Sequence, residues 1–293
     1  MIAYLFILIA IIFFSIGVFI DNFLINSAFK DTKALLFYSN ITNLLFIPLL
    51  WIFGLPKILP NNMIFPILIV GFAQAIYLYP YFKALKETDT SIISALFNMG
   101  KIFVPLLAWL IVNERLSLIQ YIGFILIIIS SFFLTYKGEL KVNKALIYMI
   151  ITSLILAINS TITKYALESV DWITVITWSA VVSTIITIII GTLFYRKEIS
   201  KTRKIYFKNI WRFIINEFVT FIAIASMIFA ITKMPITIVQ GLLAAQPVLM
   251  ILIAYFAHKF LPKYFKEDFS LKNVLKKTVF FIIIIIGIIL SVM

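Results

Sequence analysis

The first twenty residues, MIAYLFILIAIIFFSIGVFI, carry no charged side chain, and the last fourteen, FFIIIIIGIILSVM, carry none either. Runs of this kind leave no polar face, so they cannot form the amphipathic skin of a water-soluble core. Of the 293 residues, 63% are hydrophobic and 13% charged, with a mean hydropathy of +1.12, outside the balance of a soluble globular domain. No alternating pattern of a membrane barrel is present. The chain is therefore expected to be an all-α integral membrane protein. Its amino terminus has no basic segment ahead of the apolar run, and that run is too long for a signal peptide, so it is expected to be kept as the first helix.

At about 20 apolar residues per crossing, the sequence predicts ten transmembrane helices, over residues 2-24, 34-54, 62-84, 90-112, 117-136, 145-166, 171-195, 211-232, 236-258 and 275-292. Only two joining loops, RKEISKTRKIYFKNI and KFLPKYFKEDFSLKNVLKK, exceed a dozen residues. The net charge of +13 is spread between the apolar spans instead of forming a separate basic domain, which argues for membrane topology and against nucleic acid as a partner. The loops after the odd-numbered spans hold 20 Lys and Arg, and those after the even-numbered spans hold 4. The positive-inside rule then predicts a multi-pass protein of the cytoplasmic membrane with both termini outside.

An internal similarity underlies the even helix count. The segment ALKETDTSIISALFNMGK from Ala84 aligns without a gap on AITKMPITIVQGLLAAQP from Ala230, each leading from a third span into a fourth. Five helices per repeat is an odd number, so the second repeat enters the bilayer upside down. The expectation is two inverted five-helix repeats, residues 1-137 and 138-293. Inverted repeats recur in secondary transporters, with the substrate near the midplane between the halves.

The chain resembles the ten-helix, EamA-type members of the drug/metabolite transporter superfamily. The resemblance rests on the two five-helix repeats, on the junction LLAWLIVNERLSLIQYIGFILIIISSFFL with its acid, serine, glutamine and glycine, and on LILAINSTITKYALESVDWITVITW, which is similar to the start of a family repeat. One departure stands out: Phe260 occupies the position in the second repeat that matches Glu114, so any role of that acid passes to Glu114 alone. Locally, Ser117 and Gln120 have the spacing of a capping box, and Gly123 permits close helix packing.

Polar residues inside predicted spans are the candidate site. Lys101 lies about 15 Å from either end of its span, while a lysine stem reaches only about 6 Å. A central lysine costs roughly 3 kcal/mol on insertion scales, so it must face a partner or a watered cavity. Ser94, Asn98, Lys101 and Pro105 share one helix face. Two readings stand: a cation that holds a substrate carboxylate, phosphate or similar anion, or half of a structural ion pair. Gln74, Tyr77 and Tyr81 form a second stripe, as helix glue or cavity lining, beside Pro80, which would loosen its helix. Asn40, Asn43, Asn159, Thr163, Gln240 and Gln246 are further candidates for the lining. Pro247 falls opposite Lys101 in the repeat alignment. Trp178 is read as stacking on substrate or as packing, and Trp51, Trp109, Trp172 and Trp211 as interfacial anchors. Glu217 is a proton-coupling carboxylate, a partner for Lys101, or an acid snorkelling toward Arg212. Asp21 is either a coupling acid or solvated at a helix end. His258 reads as interfacial.

These features predict a secondary carrier of a small polar metabolite, by alternating access. The family resemblance implies an amino acid or related compound, by export, and Lys101 adds a preference for a carboxylate or other anion. Uptake or exchange of a sugar or phosphorylated metabolite, and lipid flipping, are the rivals. An enzyme is not expected: there is one histidine, no cysteine, no acid cluster at metal-ligand spacing and no glycine loop for ATP. No cofactor or metal is expected. The expected partners are the substrate, the lipid bilayer and a coupling proton, with the chain acting as a monomer.

Overall fold

The structure, a computed structural model, describes residues 2–87, 90–135, 144–250 and 271–293. The division between residues 137 and 138, His258 and Phe260 lie outside the described residues. Within them every regular element is helical. After α1 (Ile2–Phe23) and one π turn, α2 (Thr32–Asn43) starts at Asp31, whose carboxylate accepts from the Lys33 and Ala34 amides at 3.0 and 2.9 Å. That cap satisfies two of the amides a helix start leaves free. A 3-10 turn separates α2 from α3 (Ile47–Leu50) because Pro48 has no N–H for the Leu44 carbonyl. α4 (Asn61–Ile76) and α5 (Leu78–Glu87) meet at Tyr77, where Pro80 leaves the Ile76 carbonyl without its helical donor. Then follow α6 (Thr90–Lys101), α7 (Val104–Val112), α8 (Leu118–Thr135), α9 (Lys144–Leu167), α10 (Trp172–Phe194), α11 (Arg196–Ile231), α12 (Ile236–Leu243) and α13 (Leu271–Val292).

Two predicted segments take another form. The span expected over 90-112 is two helices, α6 and α7, broken at Ile102 and Phe103. Pro105 lacks the N–H that would reach the Lys101 carbonyl. In the same way α12 stops at Leu243, four residues before Pro247, and a turn at Ala244 and Ala245 follows. The second difference is RKEISKTRKIYFKNI, expected as a loop, which is the start of α11. No Gly or Pro interrupts the sequence from Thr192 to Met234, and Lys, Arg and Glu are good helix formers. The 36 residues of α11 give a helix of about 54 Å, well beyond the ~30 Å hydrocarbon layer.

Among the described residues, six helices are long and apolar enough to cross a membrane: Ile2–Asn26, Thr32–Phe53, Asn61–Glu87, Lys144–Leu167, Trp172–Phe194 and Arg196–Ile231. Shorter apolar helices cover Leu118–Phe133, Ile236–Met250 and Thr278–Ser291. Large apolar side chains such as Ile52, Phe65 and Leu193 lie on the outside, whereas Ser15, Thr152 and Thr161 are fully buried. Each of these hydroxyls donates to the carbonyl four residues back. An apolar exterior around small polar residues is the packing expected in lipid, where hydrophobicity does not drive helices together. The chain is a multi-pass membrane protein.

Close approaches hold the helices. A Cβ on Gly100 would overlap Ser153 on α9, and a Cβ on Gly123 would lie 2.6 Å from the Gly287 carbonyl on α13. α1 runs antiparallel to α11, with Phe6 against Phe229, Gly17 beside Thr220 and Asp21 bonded to Asn216. α9 runs antiparallel to α4, with Asn159 donating to the Val70 carbonyl at 3.0 Å and Ala166 packed near Met63.

Candidate functional site

The helix breaks surround a cavity of about 180 Å³. Of the predicted residues, Lys101, Asp21, Gln74, Tyr77, Asn159, Gln240 and Gln246 line it. A smaller cavity of about 70 Å³ shares Asp21, Gln74 and Tyr77 with the first, and is closed by Asn40, Asn43, Asn216 and Glu217 together with hydroxyls of α10. Asn98 and Trp178 line neither. The structure thus gathers most of the predicted polar residues into two adjoining spaces that meet at Asp21.

Lys101 ends α6 at the break, and among the described residues it forms no ion pair. The pairs present there are Lys33 with Glu198 at 2.7 Å and Lys57 with Asp171 at 3.5 Å, both near helix starts. Glu217, one predicted partner, lines the smaller cavity, which Lys101 does not, and accepts from Asn216 at 3.2 Å and Asn43 at 3.4 Å. Nor does it meet Arg212, whose guanidinium donates to Asn209 at 2.8 Å and stacks over Phe23 and Trp211. Asp21 is held within the bundle and is not left to solvent at a helix end: it accepts from the Tyr81 hydroxyl at 3.0 Å and from Asn216 at 2.9 Å.

Other predicted residues bind helices to one another. Gln74 donates to Ser179 at 3.4 Å, and Asn98, 1% exposed, donates to the Ala244 carbonyl at 2.9 Å. The Trp178 indole, about two turns into α10, donates at 2.9 Å to the Lys57 carbonyl in the loop ahead of α4. Gln240 reaches the Met227 sulfur at 3.9 Å. The predicted capping box is formed, with Ser117 and Gln120 exchanging bonds of 3.0 and 3.3 Å.

Sequence reasoning did not find the recipient of Glu114. Its two carboxylate oxygens accept from the Ile236 and Thr237 amides at 2.7 and 2.9 Å, capping α12 from 122 and 123 residues away. The available signal was Pro235, which occupies the cap position of α12 and has no side-chain oxygen to cap with. Nor was Asn216 singled out as a bridge between two acids. At the loop ahead of α10, Asp171 is buried enough to raise its carboxyl, yet hydrogen bonds from Thr174 and the nearby Lys57 ammonium outweigh that and hold it below the usual range.

Comparison with solved structures finds 28 chains of related fold. One, a crystal structure of a protein without a stated activity, aligns over 99% of this chain and 96% of its own with a TM-score of 0.69 and 15% identity, a likeness of fold alone. No curated protein sequence matches the chain. Residues 1–136 match the EamA-like transporter family, and over that stretch the chain is similar to those transporters.

Proposed function

We propose that the protein is a secondary carrier built from two inverted five-helix repeats, 1-137 and 138-293, that rock about the larger cavity in alternating access. It lies in the cytoplasmic membrane with both termini outside, consistent with the distribution of Lys and Arg. Paired contacts support the repeat. Asp21 on α1 meets Asn216 on α11, and Asn159 on α9 meets Val70 on α4; the alignment that matches Ala84 with Ala230 also matches Val70 with Asn216. Asn26 donates to the Leu85 carbonyl and Lys164 to the Ile231 carbonyl, and the same register equates Leu85 with Ile231. Asp31 caps α2 and Asp171 caps α10.

The observation that carries the reading is Lys101, an ammonium without an ion-pair partner among the described residues, set on a cavity wall where a helix breaks. Lys101 is the anchor for an anionic group of the substrate, with Gln74, Gln240 and Gln246 as its hydrogen-bonding surroundings. At about 180 Å³ the cavity is smaller than the ~300 Å³ lower end of drug-sized pockets, which favours a small carboxylate-bearing metabolite such as an amino acid over a lipid. Export is the direction we assign.

Proteoliposomes loaded with a pooled metabolite mixture test this by counterflow of labelled components. Wild type is expected to exchange at least one carboxylate-bearing compound. Lys101→Ala is expected to insert and melt like wild type and to lose exchange. Normal exchange by that variant removes Lys101 from the site.

A further inference from the structure

Resting on the carrier reading, the smaller cavity identifies what drives it. Asp21 on α1 and Glu217 on α11 are joined by one group: the Asn216 side-chain nitrogen donates to both, at 2.9 and 3.2 Å. The remaining oxygens accept from Tyr81 at 3.0 Å and Asn43 at 3.4 Å. Two carboxylates bridged so closely in a low-dielectric interior cannot both stay ionised without a cation. α2 brings Asn40 and Asn43, α10 brings hydroxyls, and Tyr77 and Tyr81 face them from α5 and the turn before it. Arg212, about one turn earlier on α11, is bound to Asn209, and Lys101 lines the larger cavity that Asp21 also reaches but forms no ion pair with either acid among the described residues.

A second feature points to a guest. Asn216 is 1% exposed and lines the smaller cavity, and among the described residues its oxygen has no hydrogen-bond partner; the Asn40 side-chain nitrogen, in the same cavity, has none there either. An unmet acceptor and an unmet donor in about 70 Å³ fit a molecule that both donates and accepts, as water or hydronium does. They suit a metal cation less well, because a hard cation needs several converging oxygens and three of the neighbours here present N–H or O–H.

We propose that Asp21 and Glu217 hold one exchangeable proton between them, and that this proton is the coupling ion of the carrier. The step is a simple transfer: a carboxylate takes the proton from hydronium on one side, leaving water, and returns it to water on the other. Because α1 belongs to the first proposed half and α11 to the second, the proton acts at their seam. With it the two helices stay joined through Asn216, and without it two adjacent negative charges favour separation. Proton occupancy therefore biases which way the halves tilt.

Infrared titration of the full-length protein in membranes reads the pair without any substrate. A protonated-carboxyl band is expected in wild type and should disappear as pH rises. In Asp21→Asn the midpoint of the remaining carboxyl should move by at least tenfold in proton concentration, and Glu217→Gln should show the same for Asp21. Two independent, additive titrations overturn the shared proton. In proteoliposomes, an imposed pH gradient should raise wild-type flux severalfold; in Glu217→Gln the ratio of flux with and without the gradient should fall to one, and Glu217→Asp should restore part of it. Wild-type counterflow indifferent to the gradient overturns proton coupling and leaves the carrier reading standing. A wild type that exchanges nothing fails the carrier reading, while the titration still decides the proton site.

Discussion

Asn98 donates its side-chain N–H to the backbone carbonyl of Ala244, 146 residues away, in a fully buried contact of 2.9 Å. The donor lies near the end of α6 and the acceptor in the turn that follows α12. Both helices are interrupted here by downstream prolines, so this bond fastens one break to the other. In the alignment of Ala84 with Ala230, Ala244 is also the position that matches Asn98. Replacing Asn98 by Leu leaves a buried carbonyl without a donor, which costs about 1–3 kcal/mol. The expected result is a lower melting temperature in detergent by scanning fluorimetry. An unchanged melt shows that the bond contributes nothing.

Glu114 is expected to matter for stability through α12. Glu114→Ala removes both acceptors for the Ile236 and Thr237 amides and should cost about 1–2 kcal/mol, the range of a lost N-cap. Glu114→Gln keeps one acceptor and should fall between. Hydrogen exchange at the start of α12 checks this locally; equal protection in all three proteins contradicts the clamp.

Gly100 and Gly123 set the spacing of two helix pairs. A Cβ at Gly100 meets both the side chain and the backbone of Ser153, so the backbone itself must move. Gly100→Val should destabilise by about 1–3 kcal/mol, the usual cost of overpacking. At Gly123 the atoms met are the Ser291 amide and the Gly287 carbonyl, and Gly123→Val should loosen α13. Thermal unfolding of the purified variants is the measure, and wild-type stability in either would show that the helices separate freely.

At Asp171 the folded carboxyl is held below its unfolded value. Its contribution is therefore complete above the unfolded value of about 3.9 and disappears as pH falls through the folded one. Asp171→Asn should melt lower than wild type at neutral pH, and the gap should narrow only under strongly acidic conditions. A gap that stays constant to the acid limit assigns the effect to shape and not to charge.

How far the sequence carried depends on whether a feature is local. The capping box at Ser117 and Gln120 and the tight packing at Gly123 follow from nearby residue types, and both are present. The break after Lys101 was equally within reach, since Pro105 denies the Lys101 carbonyl its donor, but the apolar run read as one span. By charge residues 196-210 resemble a loop, but the helix propensity of Lys, Arg and Glu prevails there. The acids were harder. Asp21 and Glu217 lie 196 positions apart in the chain, and nothing in either neighbourhood names the other.

By itself, the sequence determined that this chain lives in a bilayer as helices, because hydrophobic runs of crossing length have no other stable environment, and that a lysine sits where lipid would reject it. Tertiary structure alone decided that Lys101 faces a cavity, that Asn216 bridges two acids and that Glu114 caps a helix from the other half of the chain. Those are contacts between distant segments, set by how helices pack and not by the residues beside them.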